Sequence, residues 1–157
     1  MRKLIIAAFM FVSSFGSNVM ADGHAIKMGI ILGFTGPIES LTPAMAASAE
    51  LAFKEASDSG SLLGGKKIEV MRADSTCVDS AAATAAAEGL ISGGVAAIMG
   101  ADCSGVTGAI ATNVAVPNGV VMISPSATSP GLTTLDDKGY FLELLHQMLE
   151  LVKSWQT

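Results

Sequence analysis

Basic charge, cysteine, histidine and aromatic side chains are all scarce in this 157-residue chain, which has nine Lys and Arg against 14 Asp and Glu, two Cys, two His and 5% aromatics. A net charge of −5 offers no electrostatic footprint for a polyphosphate backbone, so nucleic acid is not an expected partner. Two cysteines are too few for a small disulfide-built scaffold. No apolar run reaches the roughly 20 residues of a bilayer-crossing helix. Neither Gly-x-Gly-x-x-Gly nor Gly-x-Ser-x-Gly occurs, and His24 and His146 have no evident nucleophile or metal partner in the sequence. Gly60 to Lys66 imitates the start of a phosphate-binding loop, but Lys67 stands where Ser or Thr would hold magnesium, and the loop leads from a helix into a strand, the reverse of the required order. Enzyme chemistry, a metal and a cofactor are therefore not expected. What the chain has in quantity is apolar residues, 50% of the total, enough for one globular core.

Arg2 and Lys3 precede nine consecutive apolar residues, Leu4 to Val12, and small side chains at Val19 and Ala21 suit a signal peptidase. Residues 1–21 are read as a secretory signal rather than a membrane anchor, since nine apolar residues cover only about half of a bilayer. No Cys lies at the cleavage site to accept a lipid. The expected product is a periplasmic protein, free of the membrane and more acidic once both leader cations are gone.

Beyond the leader, strand and helix patterns alternate. Ile26 to Leu32 is a short β-branched run closed by Gly33. Thr42-Pro43 reads as an N-cap and first helical position, and Met45, Ala49, Ala52, Phe53 and Ala56 recur at helical spacing. A strand is expected at 67–72, a helix capped by Asp79 or Ser80 and ending at Ser92, a strand at 95–99, a helix from Ser104 to about Val114 and a strand at 120–123. Continuous apolar strands separated by helices predict an α/β fold, an open parallel sheet with helices on both faces. Ligands of such sheets bind beyond the carboxyl ends of the strands. That rule selects Gly33 to Leu41, Ala73 to Val78, Gly100 to Gly105 and Ser124 to Pro130, segments rich in Gly, Ser and Thr and free of His. Short hydroxyls and backbone N–H groups there fit a small anion such as a carboxylate, although loops and caps use the same residues.

Cys77 and Cys103 are the sole pair in an exported chain, and they fall in adjacent loops at one sheet edge. A disulfide is expected ahead of two alternatives, free buried thiols and a metal site. Closing a loop of about 25 residues contributes about 3–4 kcal/mol in the chain-entropy model.

Several segments occur in a telling order: Phe34-Thr35-Gly36-Pro37, Ser48-Ala49-Glu50-Leu51-Ala52-Phe53, Leu63-Gly64-Gly65-Lys66-Lys67-Ile68, Asp74-Ser75-Thr76-Cys77, Asp102-Cys103-Ser104-Gly105 and Ile123-Ser124-Pro125-Ser126-Ala127-Thr128-Ser129-Pro130. From about Ile26 to Phe141 the chain resembles the leucine/isoleucine/valine-binding proteins, the periplasmic receptors of branched-chain amino acid ABC importers. The resemblance implies a type I periplasmic-binding fold, two α/β lobes closing on a ligand, of which residues 22–141 form part of the N-terminal lobe. It also implies a bridge between Cys77 and Cys103. The ligand's carboxylate and amino group would meet Ser104, Ser126, Ala127 through its backbone, and Thr128. The expected ligand is a small amino acid or an amide, and the expected protein partner is the membrane permease of an ABC importer. An alternative implied by the same fold is the extracellular ligand-sensing domain of a receptor. Leu41 stands where the family carries an aromatic residue, which alters the wall of the side-chain pocket.

Residues 142–157 depart from the family. Leu142, Leu145, Leu149 and Val152 recur at helical spacing, which suggests an amphipathic closing helix. Permitted codons for residues 141–157, read one nucleotide out of frame, spell a string similar to the family's continuation, and the expectation is a frameshifted tail on a truncated chain.

Overall fold

The computed structural model describes residues 25–144. Strand β1 (Ile26–Leu32) pairs in parallel with β2 (Ile68–Asp74) on one side and β3 (Ala97–Gly100) on the other. Its alternation sends Ile31 to one face and Ile30 and Leu32 to the other, and all three are fully buried. A strand covered on both faces has no use for polar side chains, which explains the unbroken apolar run.

The sheet continues through β4 (Val121–Ser124) to β5 (Phe141–Glu143), in the order β2-β1-β3-β4-β5, all parallel. Helix α1 (Thr42–Asp58) covers one face, where Ala46, Met45, Ala49 and Phe53 meet Ile30, Leu32, Val70 and Met99. Helix α2 (Ser80–Ser92) and helix α3 (Ser104–Ile110), which runs on into a π turn at Ala111–Ala115, cover the other. There Ala83, Ala87, Leu90, Val106, Ile110 and Val114 join Ile31, Ile98 and Met122 in the larger core. The chain therefore changes faces between β1 and β3, so the topological switch point lies between those two strands.

Asp79 caps α2 as expected, its Oδ1 accepting from the Ala81 and Ala82 N–H groups at 2.9 and 3.0 Å. Thr42 does not cap α1. Leu41 holds the N-cap position without a side-chain bond, and Pro43 sits in the first turn. The fully buried Thr42 hydroxyl instead donates to the Gly33 carbonyl at 3.1 Å and so ties α1 to the loop after β1. Strand β2 extends to Asp74, two residues past the expected end, because register pairs Ala73 with Ile31 and Asp74 with Leu32.

Besides a 3-10 turn at Leu62–Gly64, two short elements have no counterpart in the sequence reading. Helix α4 (Pro130–Thr133) follows Ser129, and β5 occupies the point where an amphipathic helix was expected to begin at Leu142. Leu142 pairs with Ile123 instead, while buried Phe141 joins the larger core. The expected signal at 1–21 and residues 145–157 of the expected tail lie outside the described residues. Among the described residues, no helix is long and apolar enough to cross a membrane.

Candidate functional site

All five strands end at one edge, and the loops after the first four are bonded to one another there. The tightest junction fills the switch point. Asp102, 4% exposed, accepts from the Gly33 N–H at 2.7 Å through Oδ2, and from the Cys103 N–H at 2.9 Å and the Ser75 hydroxyl at 3.2 Å through Oδ1. A carboxylate offers only acceptor sites, so three donors are a matched set for it. Gly100 makes the close approach of β3 to β1 possible. Its φ is +133°, and a Cβ there would meet the Ile31 carbonyl oxygen at 2.0 Å.

Beside this junction, Asp74 accepts from the Thr35 hydroxyl at 2.6 Å and from the Thr76 N–H at 2.8 Å. Burial opposes charge on Asp74, but the Thr35 hydroxyl and the N–H groups of Thr76, Thr35 and Phe34 outweigh it and hold the carboxyl below its ordinary range. The Cys77–Cys103 disulfide then links the loop after β2 to the residue that precedes α3, with the two Cα atoms 5.2 Å apart.

The neighbouring crevice, between β3 and β4, has a different chemistry. Ser104 Oγ accepts from the Thr128 N–H at 3.1 Å and from the Ser129 N–H at 3.2 Å. A serine hydroxyl has two acceptor sites and one donor. With both acceptor sites occupied, its hydrogen has no acceptor among the described residues. Ser104 and Thr128 are both half-buried, so neither is sealed from a solute.

The other two expected residues take supporting places. The Ser126 hydroxyl donates to the Asp102 carbonyl at 2.9 Å. Ala127 is fully buried, and its N–H donates to Ser124 Oγ at 3.0 Å, so the structure seals it beneath the loop instead of presenting it to a solute. Ser124 in turn donates to the Ala101 carbonyl at 2.6 Å. Sequence reasoning passed over Asp102, Ser124 and the Thr35–Asp74 pair. The available signal was Asp102 itself, an acid wedged between apolar β3 and the Cys103-Ser104 pair.

A groove of about 290 Å³ lies elsewhere, on the flank between α1 and β2, and is lined by Glu50, Phe53, Lys54, Asp58, Lys67 and Ile68 among others. Its charges are already matched. Asp58 pairs with Lys54 and Lys67, and Lys67 also donates to the Ser57 carbonyl at 2.9 Å. It offers no free acceptor–donor pair comparable to the β3–β4 crevice.

A family model described as periplasmic binding protein matches residues 25–143, which is essentially all of the described chain. The protein belongs to that family. It is 33% identical over 135 residues to the leucine-, isoleucine-, valine-, threonine- and alanine-binding protein of Pseudomonas aeruginosa, covering 86% of this chain and 34% of the relative. Among solved structures, the branched-chain amino acid transporter substrate-binding protein LivJ of Streptococcus pneumoniae, in complex with isoleucine, superposes with a TM-score of 0.70 at 33% identity, covering 79% of this chain and 34% of that one. An ABC transporter substrate-binding protein of Desulfitobacterium hafniense in complex with Leu gives 0.69 at 27% identity, with 84% and 37% covered. The fold of this periplasmic-binding family member is thus the expected α/β layer, and the chain spans about a third of the length of the relatives it matches.

Proposed function

We propose that this chain forms one lobe of a periplasmic receptor that captures a branched-chain or related small amino acid, or an amide, and delivers it to the permease of an ABC importer. The observation that carries the reading is the Ser104 hydroxyl. Two backbone N–H groups, from Thr128 and Ser129, occupy its acceptor sites, so its hydrogen is directed to an anion such as an α-carboxylate. Thr128, whose N–H meets Ser104 Oγ and which is likewise half-buried, would supply a second hydroxyl able to accept from an ammonium group. A zwitterion asks for donors and acceptors placed side by side, with no catalytic base, which accords with binding rather than turnover. Residues 1–21 would export the chain, and residues 142–157 would be a frameshifted end to the lobe.

One wall of a two-walled site binds weakly. If each wall supplied half of a micromolar complex, about −8.2 kcal/mol would become about −4.1, which is millimolar. Leu41, 61% exposed just before α1, would offer a ligand an aliphatic side chain in place of the aromatic one that the resemblance implies. Saturation-transfer NMR of the 157-residue chain with leucine, isoleucine, valine and short amides tests the proposal. The expected result is saturable binding of at least one of them in the millimolar range, weakened about tenfold or more in Ser104→Ala. Equal signals from Ser104→Ala and the unaltered chain would overturn the assignment.

A further inference from the structure

We propose that Asp102 is a positioning residue, a buried carboxylate that holds the loops after β1 and β2 against the loop after β3 and thereby fixes Ser104 in register with Ser126, Thr128 and Ser129 of the loop after β4. One residue reaches all four loops. Its side chain accepts from Gly33 after β1, from Ser75 after β2 and from Cys103 in its own loop, and its main-chain carbonyl accepts the Ser126 hydroxyl after β4. Ser104 lies two residues further along and receives the Thr128 and Ser129 N–H groups.

Chemistry makes this arrangement intolerant of change. The Gly33 and Cys103 N–H groups can only donate, and they approach different oxygens of the carboxylate. An Asn side chain has nearly the same shape but turns one of those oxygens into an NH2 group, which sets donor against donor whichever way the amide lies. The isosteric exchange therefore loosens one junction while leaving the packing volume unchanged. The neighbouring Thr35–Asp74 pair supplies a control, because it joins the loops after β1 and β2 without touching Asp102.

The proposal rests on the ligand reading only for what the register serves, and its test needs no ligand. Absence of leucine binding would count against that reading alone. Amide hydrogen exchange of the 157-residue chain, followed by NMR, compares Asp102→Asn, Ser75→Ala and Thr35→Ala with the unaltered protein. In Asp102→Asn, protection at Gly33, Thr128 and Ser129 is expected to fall by about tenfold or more, with Ile30 and Ile31 in β1 nearly unchanged. Ser75→Ala removes one of the three side-chain bonds and shifts Thr128 and Ser129 the same way by a smaller factor, so the test survives if the Asn variant fails to fold. Thr35→Ala leaves Thr128 and Ser129 unchanged. Loss at Gly33 with full protection at Thr128 and Ser129 would overturn the proposal, as would a uniform loss across β1 and the loops.

Discussion

The two crevices at the carboxyl edge lie one strand apart and use polar groups in opposite ways. Between β1 and β3, the switch point where open α/β sheets commonly receive ligands, Asp102 meets three internal donors and the space is closed. Between β3 and β4, hydroxyls predominate, both Ser104 and Thr128 are half-buried, and Ser104 keeps a hydrogen to give. A charge that is fully bonded inside the protein stabilises a junction, and a neutral hydroxyl with one unsatisfied capacity suits a solute. On the proposed reading the ligand would sit one strand away from the switch point, because the Asp102 side chain fills that position.

The largest expected effect separates the crevices by stability. Asp102→Ala leaves two buried donors, the Gly33 N–H and the Ser75 hydroxyl, without their acceptor and should cost about 4 kcal/mol at 1–3 kcal/mol per orphaned group. Thr128→Ala should cost under about 0.5 kcal/mol. Urea unfolding of both variants checks this, and similar midpoints would erase the distinction between a structural and a receiving crevice.

Reduction of the Cys77–Cys103 bridge comes next. The bridge spans 26 residues of sequence and joins the loop after β2 to the Asp102 side of the edge. Opening it should cost about 3 kcal/mol, seen as a lowered urea midpoint in reductant. No change would mean that the Asp102 bonds alone hold the junction.

Much of this edge could be read before any coordinates. The limits of β1 and α2, the parallel α/β layer, the four loops and the cysteine pair all followed from local pattern, since apolar runs, caps and Gly-rich turns act over a few residues. The misses share a physical cause. Thr42 looks like an N-cap, but its hydroxyl is drawn nine residues back to Gly33. Phe141–Glu143 is too short to declare itself, and it becomes a strand because β4 offers an open edge with Ser124 and Met122 in register. Asp102 is locally visible only as an acid after apolar β3, and its role stays hidden because two of its partners lie 27 and 69 residues away. Ser104 and Thr128 came from resemblance; their 3.1 Å contact is a tertiary fact.

A smaller effect probes the closed crevice through pH. Asp74 has its carboxyl held below the ordinary range, so its stabilising contribution is complete above about pH 4 and is lost as pH falls through its lowered folded value. The stability gap between the unaltered chain and Asp74→Asn should stay constant from pH 7 to about pH 5 and close on further acidification. A gap that widened in acid would reverse the sign and remove Thr35–Asp74 from the junction. The smallest effect belongs to the surface pair of Arg72 with Glu50, 2.6 Å apart and both partly exposed, where Glu50→Gln should change stability by under about 0.5 kcal/mol.

Mapping amide shifts of the 157-residue chain during a titration with leucine most directly tests whether the β3–β4 crevice receives the ligand. The Ser104, Thr128 and Ser129 amides should move together and saturate in the millimolar range, while Gly33 in the closed crevice and Lys67 and Ile68 in the α1–β2 groove stay still. Saturable shifts confined to that groove, or to the β1–β3 crevice, with the Ser104 and Thr128 amides silent, would contradict it.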